Sequence, residues 1–157
     1  MFTPPPLADV LATLEQQGIT LDSGRPFVSW FGDNPELARE LTALVLSGQK
    51  TATATLVWSW EAEEDRPPQP GDLEVVLHWG GAPAAVIEYT WVAVLPFAEV
   101  PADFAYDEGE DDRTLESWRA GHWRYFTREC ARMGWTPSEE MPVICLRFRL
   151  LHVVPQT

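Results

Sequence analysis

Lys50 is the only lysine in 157 residues, and the ten other members of the lysine and arginine set are all arginine. It stands in Ser47-Gly48-Gln49-Lys50-Thr51-Ala52-Thr53-Ala54-Thr55, just ahead of three threonines at alternate positions. A guanidinium keeps its proton at any working pH, whereas an ammonium is a compact donor whose pKa moves on desolvation, which suits it to proton transfer or one directed contact. Only burial would hold that amine neutral. The competing reading is an exposed cation near a helix end, where the dipole favours the charged amine.

The elements around this stretch would make it a junction. Asn34-Pro35-Glu36 has the chemistry of a helix start: a capping side chain, a proline suited to the first turn and an acid at the positive end of the dipole. Leu37, Leu41, Leu44 and Val45 recur at helical spacing, and Gly48 supplies the left-handed stop after about Leu46. Downstream, Thr51, Thr53 and Thr55 share one face of an extended segment, with Ala52, Ala54 and Leu56 on the other. Lys50 falls where helix passes to strand.

With 45% hydrophobic residues the chain can bury a proper core as one folding unit. Eight tryptophans exceed what such a core needs, so some are expected to line a groove or a subunit contact, and a homodimer is one such case. A net charge of −13 repels phosphate backbones and anionic lipid, so tight non-specific nucleic-acid binding is disfavoured while a small neutral or cationic ligand is not. Cys130 and Cys145 give no disulfide framework, and His78, His122 and His152 form no metal-ligand spacing. The expectation is a cytoplasmic protein without metal or cofactor, with no leader and no membrane partner.

In chain order, residues 1–26 read as an extension: Pro4, Pro5 and Pro6 as a stiff spacer, then a short amphipathic helix through Leu7, Val10, Leu11 and Leu14, ended by Gly18. Trp30 and Phe31 precede the Asn34 helix and offer either a stacking surface or a staple. Leu56 to Trp60 reads as the end of the threonine strand, followed by an acidic, proline-broken loop. Leu73–Trp79 and Ala84–Leu95 read as hairpin strands closed at Gly80-Gly81, with Glu88 on the solvent face. Residues 103–116 carry seven acids against one arginine and read as a mostly solvated loop. A helix from about Thr114 to Met133 presents Leu115, Trp118, His122, Tyr125 and Met133 inward, and Arg124, Arg128 and Arg132 as a salt-bridged surface. Pro142 to Val154 closes the fold as a strand.

This order, with Gly48-x-Lys50-x-x-Thr53 and a Pro70-Gly71-Asp72 turn, resembles the ASCH domain family. Its signature is similar to G-x-K-x-x-[ET]-x-R, with Thr55 here in place of the arginine. The resemblance implies an α+β fold over residues 27–157: a small PUA-like, mixed or antiparallel β-barrel flanked by helices, behind the 1–26 extension. It also implies a modified nucleoside or single-stranded RNA as partner. One branch of the family comprises amidohydrolases of N4-acylated cytidine that use a lysine, a threonine and a glutamate. Those roles carry over to Lys50, Thr53 and Glu108 as the catalytic set, with Asp107 and Glu110 as alternatives for the acid; the resemblance then implies Thr53 as nucleophile on the amide, Lys50, if held neutral, accepting its proton, and Glu108 passing a proton to the leaving amine. Trp30, Thr51, Thr55, Trp58 and His122 are the expected substrate contacts, with Trp30 or Trp58 stacking on the base. The rival readings are a non-catalytic RNA-binding module, in which Lys50 is a phosphate contact, and a single-strand ribonuclease, which has acids enough between 103 and 116 but no ordered metal-ligand pattern.

Overall fold

A computed structural model describes residues 3–22 and 25–156. Its frame is one mixed sheet of five strands: β1 (Phe27–Ser29), β2 (Ala52–Leu56), β3 (Leu73–Leu77), β4 (Pro83–Pro96) and β5 (Pro142–Val153). The spatial order is β1-β3-β4-β5-β2; β1 runs parallel to β3 and every other pair is antiparallel. Irregular register at Val86/Ile87 and Tyr89/Trp91 falls within the two longest strands, and such bulges increase local twist. The result is a curled half-barrel with β1 and β2 at its edges.

Helices α1 (Leu7–Gln16), α2 (Pro35–Ser47), α3 (Val57–Ala62), α4 (Ala102–Glu108) and α5 (Leu115–Met133) cover the sheet. The capping chemistry accounts for the long ones. Asn34 accepts from the Leu37 amide at 2.9 Å and Gly48 ends α2 at φ 85°, while Thr114 caps α5 and Gly134 ends it. Leu41 and Val45 of α2 pack with Phe31, Ile144 and Leu146 in one apolar cluster. Trp118, Phe126 and Cys130 of α5 pack with Phe97 and Phe104 in a second. The apolar face of α1 docks on this same domain, where Val10 and Leu14 are buried among Val75, Leu77 and Val86. Outside the sheet, Glu88 pairs with Arg149 at 2.5 Å, as expected of a carboxylate on the outer face.

Three expectations fail, each for a tertiary reason. Residues 57–60 are helical because the β2–β5 ladder stops at Leu56, opposite Val143; the next partner is Pro142, which has no N–H to donate. The 103–116 stretch is not mainly solvated: Phe104, Ala105 and Glu108 of α4 are buried, and Glu110 is largely so. Met133, expected on the inner stripe of α5, is exposed at the helix end.

The end of α4 is clamped to the start of β2. The Thr51 amide donates to Asp107 O at 2.8 Å and the Gln49 side-chain amide to Gly109 O at 2.7 Å. Gly109 has φ 73°, and a Cβ there would lie 2.6 Å from Gln49 O, so glycine is required twice over. Gly109→Ala should lower stability by about 1–3 kcal/mol for the backbone conformation alone, with steric clash added to it. Chemical denaturation would measure the loss, and a neutral outcome would refute the clamp.

Candidate functional site

The clamp delivers two acids to one amine. Lys50 is 1% exposed, and its Nζ donates to Glu108 Oε1 at 2.8 Å and Glu110 Oε2 at 2.7 Å. Glu108 is the last residue of α4, and the turn after it, with Asp111 and Arg113 both at positive φ, brings Glu110 back to the same nitrogen. Phe31 lies 5.6 Å from Nζ, ring centre to nitrogen. Glu108 Oε2 accepts from the Trp118 indole N–H at 2.5 Å and faces His122 Nε2 at 3.2 Å. His122 stacks on Trp118 with centroids 4.2 Å apart, and its Nδ1 lies 3.0 Å from Trp118 O. Both imidazole nitrogens thus face acceptors, which suits the doubly protonated ring.

The electrostatics follow from this geometry. Burial works to deprotonate Lys50, but the two carboxylates together outweigh it and hold the amine above the usual lysine value. Burial likewise opposes the charge on Glu108, and Lys50 with His122 overcomes it, leaving that carboxyl well below the usual range. Glu110, with Lys50 on one side and Glu108 as a like charge on the other, stays net raised because its desolvation dominates. For His122, burial is outweighed by Glu108, so its pKa also rises. With all four groups ionised the cluster is neutral. The expectation of a neutral amine beside Thr53 is therefore corrected: Lys50 is an ammonium, and the group suited to gain and lose a proton is Glu110.

Lys50, Glu108, Glu110 and His122 line a cavity of about 380 Å³, together with Thr53, Thr55, Trp30 and Trp60. Thr55 Oγ1 accepts from the Trp60 indole at 3.1 Å. The Thr53 hydroxyl makes no hydrogen bond among the described residues and so is left to the cavity. Two expected substrate contacts are absent from this lining. Thr51 is exposed and tied to Asp107 O, ahead of the strand proper. Trp58 is carried by α3 to Trp135, 5.8 Å away, because the helix breaks the alternation that a strand would have continued. Of the alternative acids, Asp107 is paired with Arg147 and lies off the cavity wall. On α5, Arg128 and Arg132 pair with Asp33 as a salt-bridged surface, whereas Arg124 lines the cavity with no ion pair among the described residues.

A metal ion has a conceivable donor set here, since ligand atoms of Glu108, Glu110 and His122 lie within 4.8 Å of one another. The Lys50 ammonium already bridges the two carboxylates, however, so a cation would have to displace a built-in one. The residues do not fit a resident metal. A further cavity residue escaped the sequence reading: Glu74, 5% exposed on β3. The signal was available, because a carboxylate inside Leu73-Glu74-Val75-Val76-Leu77 has few ways to reach water.

The ASCH domain family matches residues 27–152. The chain belongs to it. It is similar to the ASCH domain of Lactobacillus crispatus, known from a crystal structure, at 32% identity over 80% of this chain and 79% of that one, with a TM-score of 0.74. It is also similar to a protein of Enterococcus faecalis solved by crystallography, at 30% identity over 95% and 91% of the two chains and a TM-score of 0.83. No curated protein gives a match. The half-barrel is thus the PUA-like α+β fold of ASCH domains, here with a helix ahead of it. Among the described residues no helix is long and apolar enough to cross a membrane.

Two outcomes test the charge arrangement. Lys50→Met leaves Glu110 with no ion-pair partner beside Glu108, which keeps only His122, and should cost roughly 3–5 kcal/mol near neutral pH, measured by denaturation. An exposed, dispensable amine would give no such loss. Because the His122 pKa is raised in the folded protein, its ion pair contributes fully below the usual value of 6.5 and is lost as pH rises through the folded midpoint. A ring-proton NMR titration should therefore show a midpoint above 6.5, falling in Glu108→Gln.

Proposed function

We propose that the cavity of this ASCH domain binds a nucleoside and that its Lys50 cluster hydrolyses an amide on the base, as in N4-acylated cytidine. The observation that carries this reading is the pairing of Lys50 with two carboxylates inside the protein. An amine meant for a phosphate would be open to solvent and free of acids, because the two negative groups would repel the ligand. A neutral nucleoside meets no such repulsion, and Trp30 and Trp60 offer faces on which a base can stack.

In the proposed reaction Thr53 Oγ attacks the acyl carbon and its proton passes to the Glu110 carboxylate. The C–N bond then breaks, and Glu110 returns the proton to the departing amine nitrogen. Water, giving its proton to the same carboxylate, then attacks the acyl carbon; the ester C–Oγ bond breaks, Glu110 returns that proton to Thr53 Oγ, and the acyl group leaves as a carboxylic acid. The Lys50 ammonium is the donor for the oxyanion formed at each addition. Glu108 is a positioning residue, holding Lys50, Trp118 and His122 on its two oxygens.

RNA as the ligand is the second reading, favoured by Arg124, whose guanidinium at the cavity has no ion pair among the described residues. A strand passing there would lose affinity with salt at a slope of about 0.7 per phosphate contact.

Incubation with N4-acetylcytidine should give cytidine and acetate. Thr53→Ala and Glu110→Gln, each leaving the Lys50–Glu108 pair in place, should lower kcat by about 100-fold or more, the range usual for an acid–base group. Absence of turnover by the wild type, with salt-sensitive binding of single-stranded RNA that Arg124→Ala weakens, would replace the first reading with the second.

A further inference from the structure

A buried acid of the cavity wall stands apart from the Lys50 cluster. Glu74 reaches the cavity from β3, between Ser29 on β1 and Tyr89 on β4, and all three side chains line the space. The Ser29 hydroxyl donates to Oε2 at 2.8 Å and the Tyr89 phenol to Oε1 at 3.0 Å. No cation pairs with Glu74 among the described residues. Burial therefore raises its pKa, and the two hydroxyl bonds offset only part of that. A buried carboxyl without a counter-charge is costly, and the fold itself gains little from one: two hydroxyls on neighbouring strands have other ways to be satisfied. Each carboxylate oxygen has two lone-pair sites, so one hydroxyl bond apiece leaves acceptor capacity on both.

On the reading that the cavity holds a nucleobase, we infer that Glu74 selects the base by pairing through two hydrogen bonds with a heterocycle edge that sets a ring nitrogen beside an exocyclic N–H. The exocyclic N–H donates to one carboxyl oxygen, and a single proton lies between the other oxygen and the ring nitrogen. Neutral acid with neutral base and carboxylate with protonated base have the same atoms and the same total charge, so the pair forms by uptake of one proton in either description. The positive character of the paired base supplies the charge that Glu74 lacks, and the net charge of −13 favours it further. A cytosine-type edge meets this requirement. A uracil edge, whose carbonyl is too weakly basic to take the proton, depends on the neutral acid alone. An exocyclic nitrogen carrying two alkyl groups has no hydrogen to offer.

Calorimetric titration of the full chain with cytidine, uridine and N4,N4-dimethylcytidine at pH 5.5 and 8 tests this. For the wild type, cytidine should bind more tightly at the lower pH, and the dimethyl analogue at least about tenfold more weakly, as expected where a buried polar group is left unpaired. Glu74→Gln carries a donor and an acceptor at every pH, so it should keep cytidine binding within a few-fold. Tyr89 is the titratable group bonded to Glu74; the Lys50 cluster shares the cavity with Glu40, Asp111, Arg124, Tyr125 and Arg128. Any pH dependence from those groups persists in Glu74→Gln, and the part that disappears belongs to Glu74. Glu74→Met, with its fold checked by circular dichroism and thermal melting, should lose cytidine at least about tenfold. Unchanged binding by a folded Glu74→Met, or a pH profile of Glu74→Gln identical to that of the wild type, overturns the inference. Wild-type turnover of N4-acetylcytidine alongside such a result leaves the nucleoside reading standing, whereas failure of the wild type to bind any nucleoside removes both.

Discussion

A lysine ammonium taken out of water is tolerated only where the surroundings return the lost solvation, and the region from α4 to α5 does this for Lys50. Glu108 and Glu110 reach its nitrogen because Gly109 lets the chain turn against the Gln49 backbone, and because Thr51 and Gln49 tie that turn to the head of β2. Trp118 and His122, one turn apart on α5, then hold the far oxygen of Glu108. Helix end, turn, strand start and helix face therefore meet at one buried charge. Disturbing any of them exposes or unbalances the others.

On the proposed reading, this arrangement suits the cavity to a neutral or weakly cationic ligand. The ammonium is bound to carboxylates, the cluster sums to zero when fully ionised, and the chain as a whole is strongly acidic. Aromatic rings line the cavity, and two sets of its polar groups are bonded among themselves. Lys50, Glu108, Glu110 and His122 form a cluster in which protons can move. Glu74 with Ser29 and Tyr89 forms the other set, fixed by hydrogen bonds and suited to recognition.

Much of the frame was legible from local chemistry. Asn34, Pro35 and Gly48 bound α2, Thr114 and Gly134 bound α5, and the β-branched runs gave β3, β4 and β5, because caps and alternation act over a few residues. Residues 57–60 were misread because their β propensity is real; what ends the strand is Pro142 on the partner, about 80 positions away in the chain, beyond any local signal. The acids of 103–116 were read as solvated for the same kind of reason. Charge density says that a segment prefers water, and only contact with Lys50 and Trp118 says which two members leave it.

The sequence by itself determined that one amine differed from every other cation, that threonines followed it in alternation, and that the ASCH order of elements surrounded them. It did not determine the ionisation state of that amine, the choice of Glu108 and Glu110 over Asp107, the replacement of Trp58 by Trp60 on the cavity wall, or the presence of Glu74 there. Those depend on distances between residues far apart in the chain. Coulomb and desolvation energies vary with such distances, and composition and periodicity carry no information about them.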